Sequence, residues 1–296
     1  MGISGDPAPL KENGMDIEDI VLSRDRRGIS SLRPHLSQNF CYEAAALVSE
    51  DPGTAIIITG FYILDADSNE TDGPPGAIVL GEALKKLEYK PIYVTDRYTL
   101  DLMRTLADKD DVVIDFPITG SSESENFAKN LLRKYCPSVV VATERCGATG
   151  EQRYRNMKGQ DITEFTARTD YLFQHHPATI GVGDGGNELG MGNLALATPS
   201  VPTLVKDPCT TRSTAPVICS VANWGMYGIV AALSIQRGKN ILPSIKEERN
   251  LVKRCVQMGA VDGASHKVEE RVDGFTLEEN SGVLAELHRL VESHLH

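Results

Sequence analysis

The sequence predicts an α/β fold of three layers: a mainly parallel β-sheet with helices on both faces. Three observations carry this expectation. Short, uniformly apolar, β-branched runs recur along the chain, as strands buried on both faces require. Segments with helical spacing separate them, which is the βαβ alternation of a parallel sheet. The 296 residues suffice for one large core, and no internal repeat or linker divides them. Residues 1–296 are therefore read as one α/β domain, with 1–36 as an N-terminal arm or helix.

The strand candidates come in order at 55–59 (AIIIT), 91–95 (PIYVT), 112–114, 139–142 (VVVA), 179–182 and 217–221 (VICSV). The first helix is expected at 76–87, directly after Pro74-Pro75, because proline suits the first helical position. Leu100, Met103, Leu106 and Ala107 mark an apolar face on a helix over 97–107. Ser122 and Glu125 have capping-box spacing for a helix over 122–135, and Asp161 and Glu164 open a similar one over 161–174. The segment 224–236 is apolar all round and predicts a buried helix. Ser244 and Glu247 cap a helix over 244–258, and a last helix is expected over 281–294.

Composition excludes several function classes. Asp and Glu number 41 against 30 Lys and Arg, a net charge of −11. That balance opposes nucleic-acid binding, which needs clustered basic residues. No apolar run reaches the length of a membrane span. The six cysteines are scattered without metal-ligand spacing, and read as reduced thiols in a cytoplasmic protein. Between Val21 and Leu36 lie Arg24, Arg26, Arg27 and Arg33, but nearby acids spoil a transit-peptide pattern. The expected partner is a small anionic molecule, with a homodimer possible.

Parallel sheets bind ligands beyond the carboxyl ends of their strands, so the residues following each strand are the ones to read. The run Gly181–Gly192, GVGDGGNELGMG, is the strongest signal. Its glycines let a ligand approach the backbone, and Gly185 and Gly186 become candidate ligand contacts. Asp184, Asn187 and Glu188 offer hard oxygen donors suited to Mg²⁺ or Mn²⁺, with Ca²⁺ possible. The same run contains GxGxxG, but too late in the chain for a dinucleotide fingerprint. After the first strand comes ETDGPPGA, whose Glu70 and Asp72 stand before a helix. Thr71, Gly73 and the free amides there can hold a carboxylate. After the fourth strand comes Glu144, a metal ligand or general base, and Arg145, a bidentate carboxylate clamp. Asn156 and Asn223 complete the candidate substrate contacts. Cys146 and Trp224 read as packing residues.

ETDGPPGA (70–77), ERCG (144–147), GVGDGGNELGMG (181–192), VANWG (221–225) and SIKEE (244–248), in this order, resemble the D-glutamate cyclase family over residues 58–263. The resemblance implies a hydro-lyase that interconverts D-glutamate and 5-oxo-D-proline plus water. On that expectation Asp184, Glu188, Glu144 and Asn187 hold a divalent ion. Glu70 or Asp72 takes protons from the substrate ammonium, with Glu144 as the third candidate. Arg145 or the Thr71–Gly76 loop holds the α-carboxylate. Two alternatives remain. Asp65 and Asp67 followed by GDGGNE resemble a haloacid-dehalogenase-type phosphatase, and a non-catalytic protein that binds an acidic metabolite needs only the binding groups.

Overall fold

A computed structural model describes residues 15–48 and 52–295. Its centre is a six-stranded, all-parallel sheet: β1 (Thr54–Ile58), β2 (Lys90–Thr95), β3 (Val112–Asp115), β4 (Val139–Thr143), β5 (Thr179–Gly183) and β6 (Ala215–Ile218). The spatial order is β3-β2-β1-β4-β5-β6. Ile56 stands opposite Ile92 of β2 on one side and Val140 of β4 on the other. This is the doubly wound order, and its topological switch lies between β1 and β4, where the following loops diverge and leave a crevice.

Strand periodicity explains the two cores. Ala55, Ile57, Val139 and Val141 face one layer, while Ile56, Ile58, Val140 and Ala142 face the other. The first layer contains α1 (Ile17–Val21), α2 (Phe40–Ala46), α3 (Pro74–Lys85), α4 (Leu100–Leu106), α7 (Ala222–Gln236), α8 (Ile245–Gln257) and α9 (Leu277–Leu295). The second contains α5 (Ser121–Tyr135) and α6 (Asp170–Gln174). The apolar α7 is the buried centre of its layer, and Trp224 on it is fully buried and donates to Asn280 at 2.7 Å. In α8, Leu251, Val252 and Cys255 keep to the buried face, and the Ser244–Glu247 capping box forms as its sequence predicts.

Several expectations are corrected. The helix expected over 161–174 is α6 alone, because Asp161 accepts Thr163 N in a separate short turn. The capping box at Ser122 does not form; α5 starts one residue earlier behind Gly120, without a side-chain cap. The described part of the N-terminal arm is not peripheral. Ile17, Ile20, Val21, Ile29 and Leu32 are buried in the first layer, while residues 1–14 lie outside the described residues. A hairpin at Arg271–Val272 and Phe275–Thr276 has no counterpart in the sequence reading. The six cysteines are free, five of them buried.

The carboxyl rim of the sheet is held by Arg145. It is 1% exposed, pairs with Asp96 Oδ2 at 2.6 Å, and donates to Gly60 O at 3.0 Å and Ala167 O at 2.9 Å. Asp96 also accepts Ala167 N. The loops after β1, β2 and β4 are thereby joined through one guanidinium. Arg145 is a rim clamp whose two terminal nitrogens are committed, which corrects its expected role as a bidentate clamp on a substrate carboxylate. Removing one partner of a buried pair strands the other charge at a cost of about 3–5 kcal/mol. Arg145→Met is therefore expected to lower unfolding stability by about that amount, read from urea denaturation, with a smaller loss for the double variant that also carries Asp96→Leu.

Candidate active site

The loops after β1, β4 and β5 bring a group of acids together at the switch point. Glu70, Asp72, Glu144, Asp184 and Glu188 are buried, and Asp273 joins them from the C-terminal hairpin. Removing carboxylates from water disfavours their charged form, and mutual repulsion adds to this. The acids resolve the difficulty in different ways.

Asp72 is neutralised by backbone. Its carboxylate accepts Ala222 N at 2.7 Å, Asn223 N at 2.8 Å and its own Gly73 N at 3.0 Å, so it caps the start of α7. Asn223 returns the bond: its Oδ1 accepts Gly73 N at 3.1 Å and Gly76 N at 2.6 Å at the start of α3. Two helix N-termini with orphan donors thus cap each other through side chains. Burial and the Asp273 charge still push the Asp72 carboxyl up to about 7. Asp72 and Asn223 are framework, not base and ligand contact. Thr71 is likewise committed, donating to Arg271 O at 2.6 Å.

Glu188 sits under the glycine loop. Its carboxylate accepts Asp184 N at 3.2 Å, Gly185 N at 2.7 Å and Gly186 N at 2.7 Å. Gly185 and Gly186 therefore point their amides at Glu188 rather than at the cavity. The requirement for glycine is clearest at Gly73. Its φ is +91°, and a Cβ there would lie 2.6 Å from Glu144 Cβ.

Glu144 has no such partner. It stands at φ +40°, a conformation that costs a non-glycine residue and is held only where the surroundings dictate it. Glu144 Oε2, Glu70 Oε1, Asp184 Oδ2 and Asn187 Oδ1 are all buried without a hydrogen-bond partner among the described residues. Burial first, then Asp184 and Glu70, raises the Glu144 carboxyl well above its ordinary value. Burial first, then Asp273, does the same at Glu70. Glu144, Asp184 and Glu188 each present a carboxylate oxygen within 4.8 Å of the others. Within this three-acid group the orphaned oxygens of Glu144 and Asp184 are hard donors that fit a divalent cation.

The cation the protein itself supplies was missed in the sequence reading. Arg27 pairs with Asp184 Oδ1 and reaches Asp273 Oδ1 at 3.0 Å. Asp25 builds the turn that delivers it, accepting Arg27 N at 3.0 Å, Gly28 N at 2.7 Å and Ser30 N at 2.9 Å. Arg27 and Asp273 lie near opposite ends of the chain, and no local pattern joins them. Aspartate two to five residues before the amides it accepts was the one available sign that the segment around Arg27 is ordered.

A cavity of about 200 Å³ opens onto this group. Arg27, Glu70, Glu144 and Asn187 line its acidic end, and Asp65, Lys158 and His266 also line it. Asn156 lines it too, but its amide is spent holding a turn, accepting Lys158 N and Gln160 N at 3.0 Å. Asp65 lies in the turn of a separate hairpin of Tyr62–Ile63 with Ser68–Asn69 rather than directly after β1, and it pairs with Lys158 at 2.5 Å. Asp67 is bonded by Tyr62 Oη. The haloacid-dehalogenase-type pattern puts its nucleophile directly after the first sheet strand, and neither aspartate stands there. Cys146 is buried and bonds to carbonyls, with its thiol pushed up by burial, as a packing residue should be.

The raised carboxyls have a consequence for stability. Acids whose folded pKa is raised bind more protons folded than unfolded, so stability falls as pH climbs from the unfolded toward the folded value. For Asp72 that window runs from about 4 to about 7. Without added metal, Tm is expected to fall between pH 5 and pH 8. Glu144→Gln is expected to raise Tm at pH 8 and flatten the slope, both read by differential scanning calorimetry.

Residues 17–288 match the family described as D-glutamate cyclase-like, C-terminal. Human mitochondrial D-glutamate cyclase is 29% identical over a 278-residue alignment, which covers 78% of this chain and 44% of that protein. The chain thus spans less than half the length of this relative. Among solved structures, RecJ in complex with Mn²⁺ from Thermus thermophilus aligns with 94% of this chain and 39% of its own, at TM-score 0.37 and 14% identity, too distant to carry an argument. No helix among the described residues is long and apolar enough to cross a membrane. With a family model matching nearly its whole described length, this chain belongs to the D-glutamate cyclase-like, C-terminal family.

Proposed function

We propose that the chain is a hydro-lyase that interconverts D-glutamate and 5-oxo-D-proline plus water, assisted by a divalent cation. The observation that carries this is the set of buried carboxylates left without donors, Glu144 and Glu70 foremost, lining a cavity of about 200 Å³. Family membership supports the reaction class, and the buried acids are groups that such a reaction can use.

Lactam formation moves two protons. The α-ammonium must lose one before its nitrogen attacks the γ-carboxyl carbon, and a second once the C–N bond forms. Both end on the departing oxygen, which leaves as water. A carboxylate whose pKa is raised is the right carrier, since it takes a proton from nitrogen and returns it near neutral pH. Glu70 and Glu144 both have that property and both line the cavity. We assign Glu70 to the proton transfers, because Glu144 lies within the acid set shared with Asp184 and Glu188. Asp184, Glu144 and Asn187 would hold Mg²⁺ or Mn²⁺, with Glu188 fixing the loop that carries two of them. Bound there, the ion supplies Lewis-acid polarisation of the γ-carboxyl, otherwise a weak electrophile. Arg27 holds Asp184 and Asp273 in place and limits their repulsion. The buried rim excludes bulk water, which strengthens every interaction with the developing charge.

Asp184→Asn and Glu144→Gln are each expected to lower turnover of D-glutamate by about 100-fold or more, and EDTA to abolish it until Mg²⁺ or Mn²⁺ is restored. Full turnover in both variants and in chelator would contradict the metal assignment. Glu70→Gln is expected to lower kcat by a larger factor than it raises KM. Tight binding of substrate by the wild-type protein without any turnover would favour a non-catalytic binding protein instead.

A further inference from the structure

The acidic half of the cavity leaves one requirement of the proposed substrate unmet. D-Glutamate carries two carboxylates as well as an ammonium, and 5-oxo-D-proline keeps the α-carboxylate. Arg145, one of the expected carboxylate holders, is locked in the rim. Arg27 is paired to two aspartates. The cavity lining holds two further basic side chains, Lys158 and His266.

These two come from different loops and meet at a carboxylate. Asp65 Oδ2 lies 2.5 Å from Lys158 Nζ and 3.7 Å from His266 Nδ1. Lys158 and Asp65 are 57% and 39% exposed, so the pair is solvated and contributes little to stability. It can exchange partners at low cost. The Lys158 hydrogen bond holds the Asp65 carboxyl below its ordinary range, so Asp65 is anionic at neutral pH and occupies the position of a ligand carboxylate. The backbone beneath Lys158 is fixed by Asn156, leaving the side chain free to swing between partners.

We propose that Lys158 and His266 form the α-carboxylate subsite, and that Asp65 holds this place until substrate or product displaces it. This rests on the reaction assigned above. The cavity is then polarised for an amino dicarboxylate: Glu70 faces the ammonium, and Lys158 and His266 receive the α-carboxylate. Because the α-carboxylate survives the reaction, the subsite binds substrate and product alike. Interactions equal in ground and transition states alter KM and not kcat. Lys158 and His266 are therefore binding residues whose loss weakens both directions equally.

The test is a pair of kinetic and binding measurements on Lys158→Met, Lys158→Arg and Asp65→Asn. Lys158→Met is expected to raise KM for D-glutamate and for 5-oxo-D-proline by a similar factor, about tenfold or more, with kcat within about twofold. Lys158→Arg should recover most of the loss. Asp65→Asn removes the competing carboxylate and should lower both KM values. Calorimetric titration with 5-oxo-D-proline, and with 2-pyrrolidinone, which lacks the carboxylate, separates this claim from the reaction itself. If the wild-type protein binds 5-oxo-D-proline but turns over neither compound, the assigned reaction fails; weaker binding by Lys158→Met still supports the subsite. Equal binding by wild type and Lys158→Met, a loss confined to kcat, or equal affinity for 2-pyrrolidinone overturns the subsite. Binding of neither compound by the wild-type protein overturns both.

Discussion

The organisation of this protein depends on one electrostatic constraint: six carboxylates, those of Glu70, Asp72, Glu144, Asp184, Glu188 and Asp273, are buried at the carboxyl rim of a parallel sheet. Burying like charges together is costly unless each is hydrogen-bonded, paired or protonated. The first two solutions serve part of the group, and the difference between residues separates framework from chemistry. Asp72 and Glu188 are absorbed by backbone amides and fix two helix starts and the glycine loop. Asp184 and Asp273 share Arg27. Glu70 and Glu144 face the cavity with oxygens that no donor reaches among the described residues, and their carboxyls are raised in consequence. The acids that the framework leaves unsatisfied are those available to a ligand.

The sheet explains why they meet at this point. In the order β3-β2-β1-β4-β5-β6 the chain reverses direction of winding between β1 and β4. Glu70 follows one of these strands and Glu144 the other, so the crevice that every such sheet leaves at its switch point is lined from both sides by acid. Arg145 and Asp96 hold the rim closed around that crevice, a task different from touching the ligand. The left-handed backbone of Glu144, packed against Gly73, sets its side chain where the β1 and β4 loops meet.

Much of this was legible in the sequence, and what was not has a common physical cause. The strands were visible because burial on both faces forces apolar β-branched runs. The glycine loop and the α8 capping box were visible because they are local. That Glu70, Glu144, Asp184 and Asn187 would stand together at the carboxyl rim followed from their positions after strands. What failed were the assignments that depend on a distant partner. Asp72 looked like a base because its partners, the amides of Ala222 and Asn223, lie far along the chain. Arg145 looked like a ligand clamp because Asp96 could not be seen across the sheet. Arg27 looked like part of a basic arm, and Asp273 carried no signal; only the folded chain joins them. The net charge of −11 suggested a cation partner, and the protein supplies part of it from its own N-terminal turn.

The central claim is that the acid set is completed by a metal ion rather than satisfied by protonation alone. The most direct measurement is anomalous diffraction from crystals soaked in Mn²⁺ at pH 8. The account predicts a peak bounded by Glu144, Asp184 and Asn187, with Arg27 still on Asp273. Density data that show no manganese there, with the carboxylates paired only to protein groups, would contradict it.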